Sequence, residues 1–132
     1  MASRTDEDGY VTDFAYDSRN LVQAISYSGG KNVRFTYNPA EQLVGMSDWT
    51  GETTFALDLL GRVTSVNDSS NRTVGYTYDR AGNIASIAYP DTAVVRYSYD
   101  AHNRFASVAD ADGASTSYEY DAAGRLVRLN YN

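Results

Sequence analysis

The chain has no cysteine, so neither disulfides nor thiolate metal sites can hold it together, and the redox compartment is left open. It has two prolines, Pro39 and Pro90, one lysine, Lys31, and one histidine, His102. Any catalytic triad would have to be built on that one imidazole. No apolar run approaches the ~18 residues that a membrane-spanning helix needs, so no membrane insertion is expected. Positive charge is scarce: 11 Lys and Arg face 17 Asp and Glu, for a net charge of −6. Binding to phosphate is driven by positive charge, so nucleic acid is not expected as a partner. Met1 to Asp8 are polar, without the hydrophobic stretch of a secretory signal peptide. Residues 1–9 read as a flexible N-terminal segment and residues 10–132 as a single β domain.

What is abundant is tyrosine, with 12 residues against 4 Phe and 1 Trp. Tyrosine and β-branched residues suit a pleated, half-buried surface. Apolar content of 42% and charged content of 21% argue against disorder.

The tyrosines repeat. Tyr followed by Asx recurs as Tyr16-Asp17, Tyr37-Asn38, Tyr78-Asp79, Tyr99-Asp100 and Tyr120-Asp121, and Leu57-Asp58 fills the gap. The steps are 21, 20, 21, 21 and 21 residues. Two residues before each anchor stands an aromatic: Phe14, Phe35, Phe55, Tyr76, Tyr97 and Tyr118. Four before stand Thr12, Val33, Thr53, Val74, Val95 and Thr116. A spacing of two places these residues on one strand face, with polar residues on the other. Aromatic strands are predicted over 11–17, 32–38, 53–58, 73–79, 94–100 and 115–121.

Asp-x-x-Gly follows the anchor at Asp58-Gly61, Asp79-Gly82 and Asp121-Gly124. Aspartate suits the first position of a type I turn and glycine the last, where φ is positive. Asn20 and Asn103 tolerate that conformation; Glu41 does so poorly. The turn at Pro39 is therefore expected to be distorted, and the first turn, counted from Tyr16 to Leu21, to be one residue short. An apolar pair spaced by three comes next: Leu43/Met46, Val63/Val66, Ile84/Ile87, Phe105/Val108 and Leu126/Leu129. That spacing fits a strand carrying a β-bulge. Further turn residues close each unit, as in Ser28-Gly29-Gly30, Trp49-Thr50-Gly51 and Asp112-Gly113. The fold class is all-β: six tandem antiparallel β-hairpin repeats of about 21 residues, twelve strands in all, forming a curled or spiral β-sheet. Helices are disfavoured by the glycines and the period-two aromatics. A one-coil-per-repeat β-helix is disfavoured because it would stack the Asp column at about 4.8 Å.

Aromatic-x-Tyr-Asp-x-x-Gly-Arg-Leu at this spacing resembles the YD repeat, also called the RHS repeat. Gly61-Arg62-Val63 and Gly124-Arg125-Leu126 carry it well, and the resemblance covers residues 10–132. It implies antiparallel β-ribbons of the kind that spiral into hollow shells in bacterial RHS and insecticidal toxin-complex proteins and in teneurins. It also implies a bacterial, exported protein located outside the cell or on its surface. Family shells use many more repeats and carry an Asp-Pro self-cleavage motif. Here neither proline follows an Asp, so self-cleavage is carried over to no residue.

No catalytic, cofactor-binding or metal-binding residues are assigned. His102 lies in the turn Asp100-Ala101-His102-Asn103 and reads as an exposed turn residue; nothing marks the nearby Ser98 as an activated nucleophile. Asp58, Asp79, Asp100 and Asp121 form a column, but at about 10 Å apart in a hairpin array they cannot share a calcium ion, so each reads as a turn cap. Arg62, Arg104 and Arg125 are expected to pair with Asp or to lie over Tyr. The expected function is a non-enzymatic structural scaffold or shell-wall segment whose open sheet edges join copies into an oligomer or filament. The alternative is a module binding a glycan or protein along the aromatic or Asp-rich face.

Overall fold

A computed structural model describes residues 2–132. The described residues form thirteen strands: β1 (Ala2–Thr5), β2 (Val11–Tyr16), β3 (Val22–Tyr27), β4 (Asn32–Tyr37), β5 (Leu43–Asp48), β6 (Gly51–Leu57), β7 (Val63–Asn67), β8 (Thr73–Tyr78), β9 (Ile84–Ala88), β10 (Val94–Tyr99), β11 (Phe105–Ala109), β12 (Ser115–Tyr120) and β13 (Leu126–Tyr131). The chain divides into two compact units, Met1–Arg72 and Thr73–Asn132. The first holds β1 to β7, each strand antiparallel to its neighbour in the chain. The second holds β8 to β13 in the same arrangement. The class is all-β, built of tandem antiparallel hairpins.

Register explains the apolar spacing. The first aromatic of each repeat faces the second member of the apolar pair: Phe35↔Met46, Phe55↔Val66, Tyr76↔Ile87, Tyr97↔Val108 and Tyr118↔Leu129. The anchor faces the first member: Tyr37↔Leu43, Leu57↔Val63, Tyr78↔Ile84, Tyr99↔Phe105 and Tyr120↔Leu126. The register shifts by one between these two pairs in every repeat, and β2/β3 shifts likewise at Ala15/Tyr16. The bulge thus lets a spacing of three on one strand oppose a spacing of two on the other. Each aromatic gains a cross-strand apolar partner, aliphatic except for Phe105 opposite Tyr99, a contact contributing about 0.2–1 kcal/mol.

The turns share one geometry. The Asp58 amide donates to the Arg62 carbonyl, and the Gly61 amide donates to the Asp58 carbonyl, at 2.9 and 3.0 Å. Gly61, Gly82 and Gly124 sit at φ of 80, 93 and 79°, as the turn chemistry requires. This is a type I turn closed by a left-handed residue.

Three expectations need correcting. The described residues form thirteen strands, not twelve, because Ala2–Thr5 pairs with β2 and covers the edge expected to be open. The first turn is not short: Asp17 bonds to Leu21 as Asp58 does to Arg62, so the residue matching Val63 is Val22. The Pro39 turn is not distorted. Asn38 bonds to Gln42 and Glu41 to Asn38, both at 3.0 Å, and Glu41 accepts a φ of 63°. Pro39 follows Asn38 at the position whose φ a type I turn wants preset.

The packing is one layer deep within each unit. Along β6 half-buried and exposed residues alternate at every position. Val33 is the one buried hydrophobic side chain among the described residues. The aromatic rows are half-buried: Phe14, Phe35, Tyr37, Phe55, Leu57, Tyr76, Tyr78, Tyr97, Tyr99, Tyr118 and Tyr120, with Tyr16 exposed.

Candidate functional site

The repeated feature with the richest chemistry is the turn after the anchor. Its aspartate accepts from the backbone. Asp100 Oδ1 takes the amides of His102 and Arg104 at 2.8 and 3.0 Å, while Oδ2 takes Arg104 Nε at 2.8 Å. Asp58 and Asp121 do the same with Arg62 and Arg125, and Asp17 uses Arg19. The Arg104 guanidinium also lies 4.3 Å from the Tyr120 ring centroid. In the repeat at Asp79, Asn83 takes the arginine's place and donates to Oδ2 at 3.0 Å.

These bonds favour the ionised carboxylate. The Arg104 amide, and then its guanidinium, hold Asp100 down at about 2. Asp17, Asp58 and Asp121 are lowered, first by the amides of Leu21, Arg62 and Arg125. Asp79 is lowered first by the Asn83 side chain. Each carboxylate is occupied in capping its own turn. Among the described residues, no group of three or more His, Cys, Asp or Glu could hold a metal ion.

The anchors reach into the neighbouring hairpin. The Tyr37 hydroxyl donates to the Val22 carbonyl at 2.9 Å, and the Tyr99 hydroxyl donates to the Ile84 carbonyl at 3.1 Å. Val22 and Ile84 are the residues opposite the previous anchors, Tyr16 and Tyr78, beside the bulge. A bulge disrupts the ladder locally, and the phenol provides a donor for a carbonyl there. Burial pushes the Tyr99 phenol up, with the negative charge of Asp79 adding to it.

Among the described residues, no nucleophile–base pair forms around His102. The Ser98 hydroxyl bonds to the Ser107 hydroxyl at 2.7 Å, a cross-strand pair on the polar face, as Thr77 does with Ser86 at 2.6 Å. His102 is exposed in its turn and donates its amide to Asp100.

Two features were not read from the sequence. Tyr27, Lys31 and Trp49 gather at the β3–β4 and β5–β6 turns, with Lys31 Nζ 4.5 Å from the indole centroid. Trp49 is the one tryptophan of the chain and stands in a turn, and its uniqueness was the available signal. Along β13, Leu129 is exposed, whereas Met46, Val66, Ile87 and Val108 at the matching places are half-buried; Val127 is exposed as well, and Leu126 is exposed like its counterparts Leu43 and Phe105.

The RHS Repeat family matches residues 16–53, 58–94 and 99–132, most of the chain. No curated protein sequence matches it. Among solved structures, a chain of the Photorhabdus luminescens Tc holotoxin pore is similar over 98% of this chain, with 17% identity and a TM-score of 0.79. A chain of the TcdB2-TccC3 crystal structure is similar over 92%, with 16% identity and a TM-score of 0.76. This chain spans 8% of the length of each. At these identities the likeness is one of fold.

Proposed function

The chain belongs to the RHS-repeat family, and from that premise we propose that it is a non-enzymatic β-sheet wall segment that joins to further copies edge to edge. The observation that carries the reading is β13. Its Val127 and Leu129 are exposed, whereas Met46, Val66, Ile87 and Val108, the counterparts of Leu129, and Val44, a counterpart of Val127, are half-buried. A hairpin from a second copy would cover them and pair with the outer edge of β13. Exposed strand edges otherwise recruit partners without control. The contact is heterologous, so it closes as a ring or propagates as a filament. The neighbouring toxin assemblies support a place in a multi-subunit shell outside the cell.

The absence of catalysis is supported by the chemistry already described. Each turn carboxylate is committed to its cap, and Ser98 is engaged by Ser107 rather than by a base.

Light scattering tests the reading. The wild type should show masses at multiples of 14.5 kDa. Leu129→Pro should be monomeric, because proline on an outward-facing amide spares the β12 pairing and blocks an added strand. A monodisperse 14.5 kDa wild type at high micromolar concentration would overturn it.

A further inference from the structure

We propose that the open cleft between the β3–β4 and β5–β6 turns binds a sugar that carries a carboxylate, such as a hexuronic or sialic acid. Lys31, Asn32, Arg34, Ser47, Asp48 and Trp49 line this cleft. The proposal uses neither the tyrosine rows nor the sheet edge, so it stands or falls apart from the assembly reading.

Charge is the first argument. Most arginines here are already matched: Arg19, Arg62, Arg72, Arg104, Arg125 and Arg128 each pair with a carboxylate. Among the described residues, Arg4, Lys31, Arg34, Arg80 and Arg96 form no ion pair, and of these Lys31 and Arg34 line the same cleft. The register places Arg34 opposite Ser47, one residue before Asp48. Lys31 is the only lysine of a chain whose net charge is −6. Its ammonium is held over the Trp49 ring, an attraction that fixes the charge at the mouth of the cleft. A carboxylate entering there meets two cations against the one carboxylate of Asp48.

The aromatic wall is the second. Trp49 is 55% exposed, and Tyr27 meets it edge-on, with ring centroids 6.5 Å apart and planes at 81°. The contact buttresses the indole in a turn that would otherwise leave it free. An exposed indole with polar groups around it suits the C–H face of a pyranose, whose hydroxyls need donors and acceptors nearby. Asn32, Ser47 and Asp48 supply both kinds. Asp48 is kept ionised first by the Thr50 hydroxyl, which donates to Oδ1 at 2.6 Å. An acidic peptide would use the cations but leave the indole face and the hydroxyl partners idle, so a sugar fits better.

Trp49 is the sole tryptophan, so its fluorescence reports on this cleft alone. Titration with trigalacturonate and with sialyllactose separates the two sources of the carboxylate, and lactose is the neutral control. A saturable change with at least one acid, and none with lactose, is expected. Arg34→Gln should weaken binding by about tenfold or more, the loss of a charge-assisted contact. Arg80→Gln, remote from the cleft, should leave it unchanged. Trp49→Ala should abolish the calorimetric binding heat while keeping the β-sheet circular dichroism. The proposal is overturned by no response to either acid at millimolar concentration, by lactose binding equally tightly, or by unaltered affinity in Arg34→Gln.

Discussion

The hydroxyl of Tyr99 donates to the backbone carbonyl of Ile84, 3.1 Å away in the preceding hairpin. Tyr37 does the same to Val22. At these two anchors the same geometry links the tyrosine to the bulge beneath the previous anchor and joins neighbouring hairpins through side chain as well as ladder. Tyr99→Phe should therefore cost about 1 kcal/mol, the net worth of such a bond. Tyr16, exposed and without a hydroxyl bond among the described residues, is the control: Tyr16→Phe should change stability by less than about 0.5 kcal/mol. Equal effects in urea unfolding would show that the hydroxyl bond carries nothing.

The left-handed turn position gives a paired test with opposite signs. Gly82 sits at φ 93°, so Gly82→Val should destabilise by about 1 kcal/mol or more. Thr92 holds the equivalent place in the β9–β10 turn at φ 73°, a strained setting for a β-branched residue. Thr92→Gly should stabilise by about 1 kcal/mol. Urea midpoints of the two variants moving in the same direction would contradict this account of the turns.

Acid should weaken the array through its turn caps. Asp100 has its folded pKa depressed to about 2 from 3.8, and Asp17, Asp58, Asp68, Asp79 and Asp121 are also lowered. A depressed folded pKa contributes stability that is complete above the unfolded value and is lost as pH falls through the folded one. The urea midpoint should therefore drop between about pH 4 and pH 2. Asp100→Asn keeps an acceptor for the turn amides, as Asn38 Oδ1 does for Ala40 and Gln42, but removes one titrating group. Its midpoint should fall less steeply over that range. A slope identical to wild type would separate the cap from the pH response.

Much of this was legible because the repeat states it six times. The period-two aromatics fixed the strand faces, and the apolar spacing of three implied the bulge that lets Tyr99 oppose Phe105 while Tyr97 opposes Val108. Strand β1 was missed because Ala2–Thr5 has no apolar alternation; its pairing is set by the turn, where Asp6 and Gly9 repeat the Asp-x-x-Gly signal. At the Pro39 turn the poor left-handed propensity of Glu41 is outweighed by Asn38 and Pro39, which together favour the bend. The Lys31–Trp49 cleft could not be read from the repeat, because it unites the β3–β4 and β5–β6 turns through residues that occur once.

The central claim is that β13 presents a pairing edge to another copy. Ser115 and Asn132 exchange both backbone bonds at 2.9 Å. Alternation along the antiparallel ladder then turns the amides of Leu129 and Tyr131 away from β12. Amide hydrogen exchange at these two residues, followed by NMR from low to high micromolar concentration, reads that edge directly. The account predicts fast exchange when dilute and protection that grows with concentration. Fast exchange at every concentration would contradict it.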